Sequence, residues 1–318
     1  MNTFTPYRAA TIAHRVYRME DFSVGNLREQ GLSLGCEGMF KVSDDARFIG
    51  KTGGHLYNRL SGFGYIAEGE GARQGELLIA IRGTNPTSTR DWLTDARAGF
   101  CRCDSGKLVH IGFQKNWESF SGDIRSFLQG KNPSHIHCVG HSLGGALATL
   151  CADYCAANRV GRVTLYTIGS PRVGMEGFAN SLTEKIGAEN IYRISHAADP
   201  VTTVPIYPFF HVPYKTRNYV VGGRGLALNP WAHTMGSYNK AIGQASWSCL
   251  LDRSAPILAD EVKRWIETVA AGGGVTPFAA DSLAMIGKVL GWILEQAYQN
   301  SGIGCATTCC ARPPRAHG

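Results

Sequence analysis

The stretch Ile136-His137-Cys138-Val139-Gly140-His141-Ser142-Leu143-Gly144-Gly145-Ala146-Leu147-Ala148 joins a short β-type apolar run, a turn that only small residues allow, and the start of a helix. One serine sits at the apex. Gly140-x-Ser142-x-Gly144 has the spacing of a nucleophile elbow, in which the serine backbone is strained and flanking glycines let strand and helix approach closely. The same spacing occurs in ordinary tight turns. Here the β-type residues before it and the helix-forming run Leu143–Leu150 after it select the nucleophile reading.

A serine hydroxyl is a poor nucleophile at neutral pH and needs a histidine base, which in turn needs a carboxylate to fix its tautomer. After an elbow of this kind the chain order is Ser, then Asp or Glu, then His. Asp199 follows a predicted strand, Ile191–Ser195, and Pro200 stiffens the loop that carries it; an Asx-turn is its structural alternative. Glu176, Glu184 and Glu189 fall on or beside a predicted surface helix and fit less well. Three histidines compete for the base. His196 is too close in sequence to Asp199, and His211, between Phe210 and Val212, reads as a core or sheet histidine. His233 lies in Pro230–Tyr238, a loop leading into a helix, and is preferred, with His211 as the alternative. This chemistry needs no metal and no organic cofactor.

Working outward, residues 7–21 have a helical pattern with Ala10, Ala13, Val16 and Tyr17 on the apolar face. Residues 22–62 are glycine-rich and read as an irregular covering. Phe63–Ala67 and Leu77–Ile81 read as the strands of a hairpin, Leu108–Phe113 as a short extended piece and Trp117–Gln129 as a helix. After the elbow come a helix over 143–158, strand Val163–Ile168, helix Gly177–Ile186 and strand Ile191–Ser195. This alternation predicts an α/β fold, a mostly parallel sheet with helices on both faces. Tyr207–Val212 and Thr216–Val221 read as an antiparallel pair turning at Pro213. A helix over 256–270 ends at Gly272-Gly273-Gly274. In the following segment, Phe278–Tyr298, the charges Asp281, Lys288 and Glu295 fall seven apart and share one narrow face. Core packing is the plainer reading of that segment; docking on lipid or on a partner is the sharper one. The expected organisation is a covering over residues 1–55, a catalytic domain over 56–250 and a helical extension over 251–318.

The chain has 318 residues, 44% hydrophobic and 18% charged, with a formal net charge of +7. That balance suits a globular protein with a sizeable core, and the diffuse positive charge favours anionic surfaces. No interleaving of basic and aromatic residues points to nucleic acid. Met1–Arg8 shows no charged region followed by an apolar core, which predicts cytoplasmic synthesis without a signal peptide. Of the ten cysteines, Cys138, Cys151 and Cys155 read as buried free thiols. Cys101-x-Cys103 and Cys305-x3-Cys309-Cys310 lack the second half-site of a zinc centre.

The elbow resembles that of the class 3 lipases, the fungal-lipase-like branch of the α/β-hydrolases. Glu76–Thr84 resembles that family's strand ending in Arg-Gly-Thr, and Arg90–Asp95 the segment after it. Val109-His110-Ile111-Gly112-Phe113 is similar to its His-x-Gly-Phe, and Thr167–Gly174 to its Gly-x-Pro-Arg-x-Gly strand end. Asp199-Pro200-Val201 and His233-x4-Tyr238 match its acid and base, although the family more often places the tyrosine three residues after the histidine. His211 matches its non-catalytic histidine. The likeness covers residues 56–245 and implies an oxyanion hole formed by the Leu143 and Thr84 N–H groups, with a lid over about 86–98 presenting Trp92 and Leu93.

The resulting expectation is a bacterial-type member: a serine carboxylester hydrolase of glycerolipids, lipase or phospholipase A1, with Ser142, His233 and Asp199 as triad. Its substrate would lie at a membrane or lipid interface. Some bacterial-type members are injected into competitor cells and restrained at home by an immunity protein. By that resemblance, export as an effector by a dedicated route is an expectation, with Phe278–Tyr298 as a docking surface for an immunity protein, chaperone or secretion carrier. The rival readings are an esterase of soluble esters and a catalytically silent binding module of the same fold.

Overall fold

The computed structural model describes residues 3–19, 39–52, 59–83, 99–205, 208–214, 217–222 and 229–252. Twelve strands lie among them: β1 (Phe40–Thr52), β2 (Arg59–Gly69), β3 (Glu76–Ile81), β4 (Phe100–Arg102), β5 (Leu108–His110), β6 (His135–His141), β7 (Arg162–Ile168), β8 (Gly174–Met175), β9 (Ile191–His196), β10 (Phe209–Phe210), β11 (Asn218–Val221) and β12 (Leu251–Asp252). Eight form one sheet in the order β1-β2-β3-β6-β7-β9-β11-β12, and β10-β8-β5-β4 form a smaller one. In the large sheet β3, β6, β7, β9 and β11 run parallel, with antiparallel strands at both edges. This is an α/β-hydrolase fold.

Side chains alternate across the central strands and so build two cores. Leu77, Ile79, Ile136, Cys138, Val163 and Leu165 face one side, packed by the helices Ile111–Glu118, Ser121–Leu128, Leu143–Ala157 and Glu176–Ile186. Leu78, Ala80, Val139, Tyr166, Ile168 and Ile194 face the other, covered by helices Pro6–Arg15 and Met235–Ile242. The helix after the elbow is buried nearly all round from Leu143 to Asp153, as its Ala- and Leu-rich sequence requires. Helix Pro6–Arg15 starts at a Thr5 cap that accepts from Arg8 N (3.2 Å), with Pro6 at its first position.

Two sequence expectations are corrected. Part of the expected irregular covering is the long strand β1, paired antiparallel with β2 at the sheet edge. Among their described residues, Tyr207–Val212 and Thr216–Val221 do not pair with each other. Phe209 and Phe210 pair with β8, while β11 adds parallel to β9 and thereby buries Tyr219 and Val221. The predicted helices 256–270 and Phe278–Tyr298 lie outside the described residues, as do Cys305, Cys309 and Cys310. Among the described cysteines, Cys138, Cys151 and Cys155 are buried free thiols, with Sγ of Cys138 and Cys151 3.9 Å apart.

Candidate active site

The elbow forms where β6 ends and the next helix begins, at the carboxyl end of the parallel strands. Ser142 has φ 58° and ψ −130°, a backbone conformation that non-glycine residues rarely occupy. The turn is fixed by Ser142 N donating to Ile168 O (3.0 Å) and by Gly145 N donating to Ser142 O (2.9 Å). Strand β3 ends against it. A Cβ on Gly83 would lie 3.1 Å from Ser142 Cβ and 2.8 Å from His141 O, so this backbone runs alongside the nucleophile.

His233 and Asp199 reach Ser142 from two later segments. His233 Nε2 lies 2.7 Å from Ser142 Oγ, and His233 Nδ1 2.8 Å from Asp199 Oδ2. A carboxylate can only accept, so Nδ1 carries the proton and Nε2 faces the serine hydroxyl as an acceptor. Asp199 also takes Val201 N–H on Oδ1 (2.9 Å) and the Tyr238 hydroxyl on Oδ2 (2.7 Å). Ser142, Asp199 and His233 are all buried. A nucleophile, a base that can take its proton and a carboxylate that orients the base are therefore in mutual contact, the arrangement that acyl transfer requires.

A second set of residues holds these three; sequence reading places Tyr238 in the family's motif and weighs His196 as a base, but gives His141 and Tyr17 no part in the site. Tyr238 O–H donates to Asp199, and its oxygen accepts His196 N–H (2.8 Å), which explains why His196 sits near the acid without serving as base. His141 Nε2 lies 2.8 Å from His233 O, and His141 Nδ1 lies 2.7 Å from the Tyr17 hydroxyl. A carbonyl only accepts, so Nε2–H donates to it and Tyr17 O–H donates to Nδ1. Burial, and after it the neighbouring His233, keeps His141 neutral by lowering its pKa well below the ordinary value. Its imidazole also stacks on that of His233 at 4.7 Å. The signal in the sequence was a histidine buried at the tip of an apolar strand beside the nucleophile. Removing one hydrogen bond to a carboxylate costs about 1.5 kcal/mol, so Tyr238→Phe is expected to lower kcat about tenfold with KM unchanged. Steady-state kinetics beside a thermal melt check this, and an unaltered kcat would reduce Tyr238 to packing.

The other candidates lie elsewhere. His211 Nε2 bonds Thr202 O (2.7 Å) and contacts none of the three. Glu176 and Glu184 are on helix Glu176–Ile186, and Glu189 is in the turn after it. Leu143 is the first residue of the elbow helix, where amides have no intrahelical acceptor. Thr84 and the expected lid, including Trp92 and Leu93, lie outside the described residues. Away from the triad, Glu76, His135 and His137 bring three ligand-type atoms within 4.8 Å of one another. Arg73 Nη1 already fills that position, 2.7 Å from Glu76 Oε2 and 3.4 Å from His137 Nε2, and its charge opposes a cation there.

Four imidazoles, those of His110, His137 and His141 buried and that of His211 half-buried, give the fold a pH dependence. Burial pushes His110 and His137 down to about 4 and lowers His141 and His211 well below the ordinary histidine value. A histidine in the unfolded chain titrates near pH 6.5, so protons bind the unfolded state first. The stability from these groups is complete above about pH 6.5 and is lost as pH falls from there through 4, by up to about 1.4 kcal/mol per group per pH unit. The urea midpoint is expected to drop clearly between pH 7 and pH 5; equal midpoints would refute this.

Comparison with known proteins agrees with the geometry. The profile of the family "Lipase (class 3)" matches residues 78–209. A secreted mono- and diacylglycerol lipase of Penicillium cyclopium is 33% identical over 228 residues, covering 68% of this chain and 70% of the relative. The chain belongs to the class 3 lipase family. The secreted mono- and diacylglycerol lipase 1 of Fusarium solani is 35% identical over 176 residues, 54% of this chain, and the match spans about half (51%) of that relative. Among solved structures, M37 lipase superposes with a TM-score of 0.56 at 16% identity, covering 76% of this chain and 93% of that one, which supports the fold alone. The expectation of cytoplasmic synthesis without a signal peptide is overturned, because both fungal relatives are named as secreted enzymes. Among the described residues no helix is long and apolar enough to cross a membrane.

Proposed function

We propose that this protein is a serine carboxylester hydrolase that cleaves acyl esters of glycerolipids at a lipid interface. Ser142 Oγ attacks the ester carbonyl while His233 Nε2 takes its proton, and Asp199 holds the imidazolium that forms. His233 then passes the proton to the leaving glyceryl oxygen, and water repeats the sequence on the acyl-enzyme. The Leu143 N–H, at the positive end of the elbow helix, and the Thr84 N–H stabilise the tetrahedral oxyanion. The observation that carries this reading is the continuous contact Ser142 Oγ–His233 Nε2, His233 Nδ1–Asp199 Oδ2, at 2.7 and 2.8 Å. It also argues against a silent binding module, which has no need of a tautomer-fixed base beside a strained serine.

Membership in the class 3 lipases favours glycerolipids over soluble esters. The narrower expectation of a bacterial-type member finds no support in the reported relatives, which are fungal. The immunity, chaperone or carrier partner was tied to Phe278–Tyr298, outside the described residues, and forms no part of the proposal. The test is lipid-class analysis of mono- and diacylglycerol emulsions and of phospholipid vesicles after incubation with the protein, with Ser142→Ala as blank. Release of free fatty acid by the wild type alone is the expected result. Hydrolysis confined to short soluble esters would replace this reading with the esterase one.

A further inference from the structure

Trp231 is 78% exposed, against 49% for Phe100, 46% for Tyr7 and 36% for Leu108, the other large apolar side chains exposed among the described residues. Its position is not slack. It belongs to the short 3-10 turn Pro230–His233, two residues before the proposed base. Asn229 holds the start of that turn: its N–H donates to Ala198 O (2.8 Å), in the loop of Asp199, and its Oδ1 accepts Trp231 N–H (3.0 Å). Thr234 holds the end, with N–H and Oγ1 both donating to Trp231 O (3.2 and 3.0 Å). His233 O is in turn held by His141. Successive side chains in a 3-10 turn point about 120° apart. With Ala232 and His233 turned inward and buried, the turn fixes the indole outward.

We propose that Trp231 is an interfacial anchor that seats the mouth of the active site on a glycerolipid surface. This rests on the hydrolase reading above. An ester whose carbonyl reaches Ser142 must approach the turn that carries His233, and Trp231 is the exposed apolar side chain of that same turn. An indole suits that depth, because its body is apolar and its N–H can donate to headgroup or carbonyl oxygens. The net charge of +7 adds long-range attraction to anionic lipid. Tyr7 supplies a control. It lies near the start of helix Pro6–Arg15, whose preceding Phe4 packs its ring at a tilt against His137 (4.6 Å), whereas the far end of that segment brings Tyr17 to His141. Tyr7 is therefore exposed at the amino end of the sheet, away from Ser142.

The test measures partition onto phosphatidylcholine vesicles in a Ser142→Ala background, where no hydrolysis intervenes. Trp231→Ala is expected to weaken partition about tenfold or more, Trp231→Phe to restore part of it, and Tyr7→Ala to leave it unchanged. Indole emission is expected to shift to the blue on adding vesicles and to lose that shift in Trp231→Ala. Thermal melts of each variant verify folding. Equal partition of the Trp231→Ala and parent proteins, no vesicle binding by the parent, or equal losses in the Trp231→Ala and Tyr7→Ala variants would each overturn the anchor. A wild-type protein inactive on every acyl ester, yet binding vesicles through Trp231, would sink the hydrolase reading and leave the anchor standing.

Discussion

Ser142→Ala is expected to lower kcat by about 10³-fold or more, and His233→Ala by a similar factor, with the double variant little worse than either. The two singles should differ in stability. Ser142→Ala removes one hydroxyl from a buried turn. His233→Ala leaves the carboxylate of Asp199, 1% exposed, with only Tyr238 and Val201 as donors, at a cost of about 1–3 kcal/mol. His211→Ala is the control. It loses the bond to Thr202 O and a half-buried ring, so its effect should fall on the melting temperature while the turnover of the folded protein stays near normal. Active-site titration with an organophosphate, together with turnover and melts, reads all of this. Near-normal turnover in the His233→Ala protein, with a folded but dead His211→Ala protein, would reverse the assignment of the base.

Gly140→Ala should do comparable damage through the backbone. A Cβ there would lie 2.1 Å from Gly144 O, 2.3 Å from Gly144 C and 2.8 Å from Gly145 N, all main-chain atoms of the helix that carries the elbow. No rotamer relieves such a clash, so the helix must move off β6 or the elbow must open. We expect a loss of about 3 kcal/mol or more and of nearly all activity. Gly144→Ala should behave alike, since its Cβ would meet Ile81 O at 2.3 Å and Arg82 C at 2.5 Å. Gly122→Ala, with nothing within 4 Å and a helical position, should be neutral or stabilising by about 0.5–1 kcal/mol. A Gly140→Ala protein that melts with the parent and stays active would show that the close approach is dispensable.

The elements legible in the sequence were those whose meaning is local. The elbow, β3, β6, β7 and the helix after Ser142 carry their own periodicity, and their boundaries came within a few residues. Strand β1 falls in the glycine-rich stretch 22–62 that reads as irregular covering, and Ser43, Asp44 and Asp45 interrupt its alternation where the register against β2 shifts between Val42 and Arg47. The pairing of β10 and β11 was misread for a different reason. Neighbours in sequence suggested a hairpin, whereas the true partners come from Gly174–Met175 and Ile194–His196. In the site, the order Ser, Asp, His together with the loop placement of His233 and the family resemblance nominates the three residues that the fold brings together. The residues that hold them were hidden because their partners are remote: Tyr17 looked like one more apolar helix position, yet its hydroxyl meets a histidine 124 positions away.

That remoteness bears on when the site comes into being. Residues 3–19 precede the other described segments, yet several of the struts that fix them come from far along the chain. Phe4 N needs the Tyr166 hydroxyl, Tyr17 needs His141, His14 needs Asn239 and the carbonyl of Phe4 needs the Trp247 indole. The proposed base is itself residue 233, steadied through His141 by that earliest segment. The contacts that steady the proposed base are therefore complete only once the chain to about residue 247 has folded onto residues 3–19.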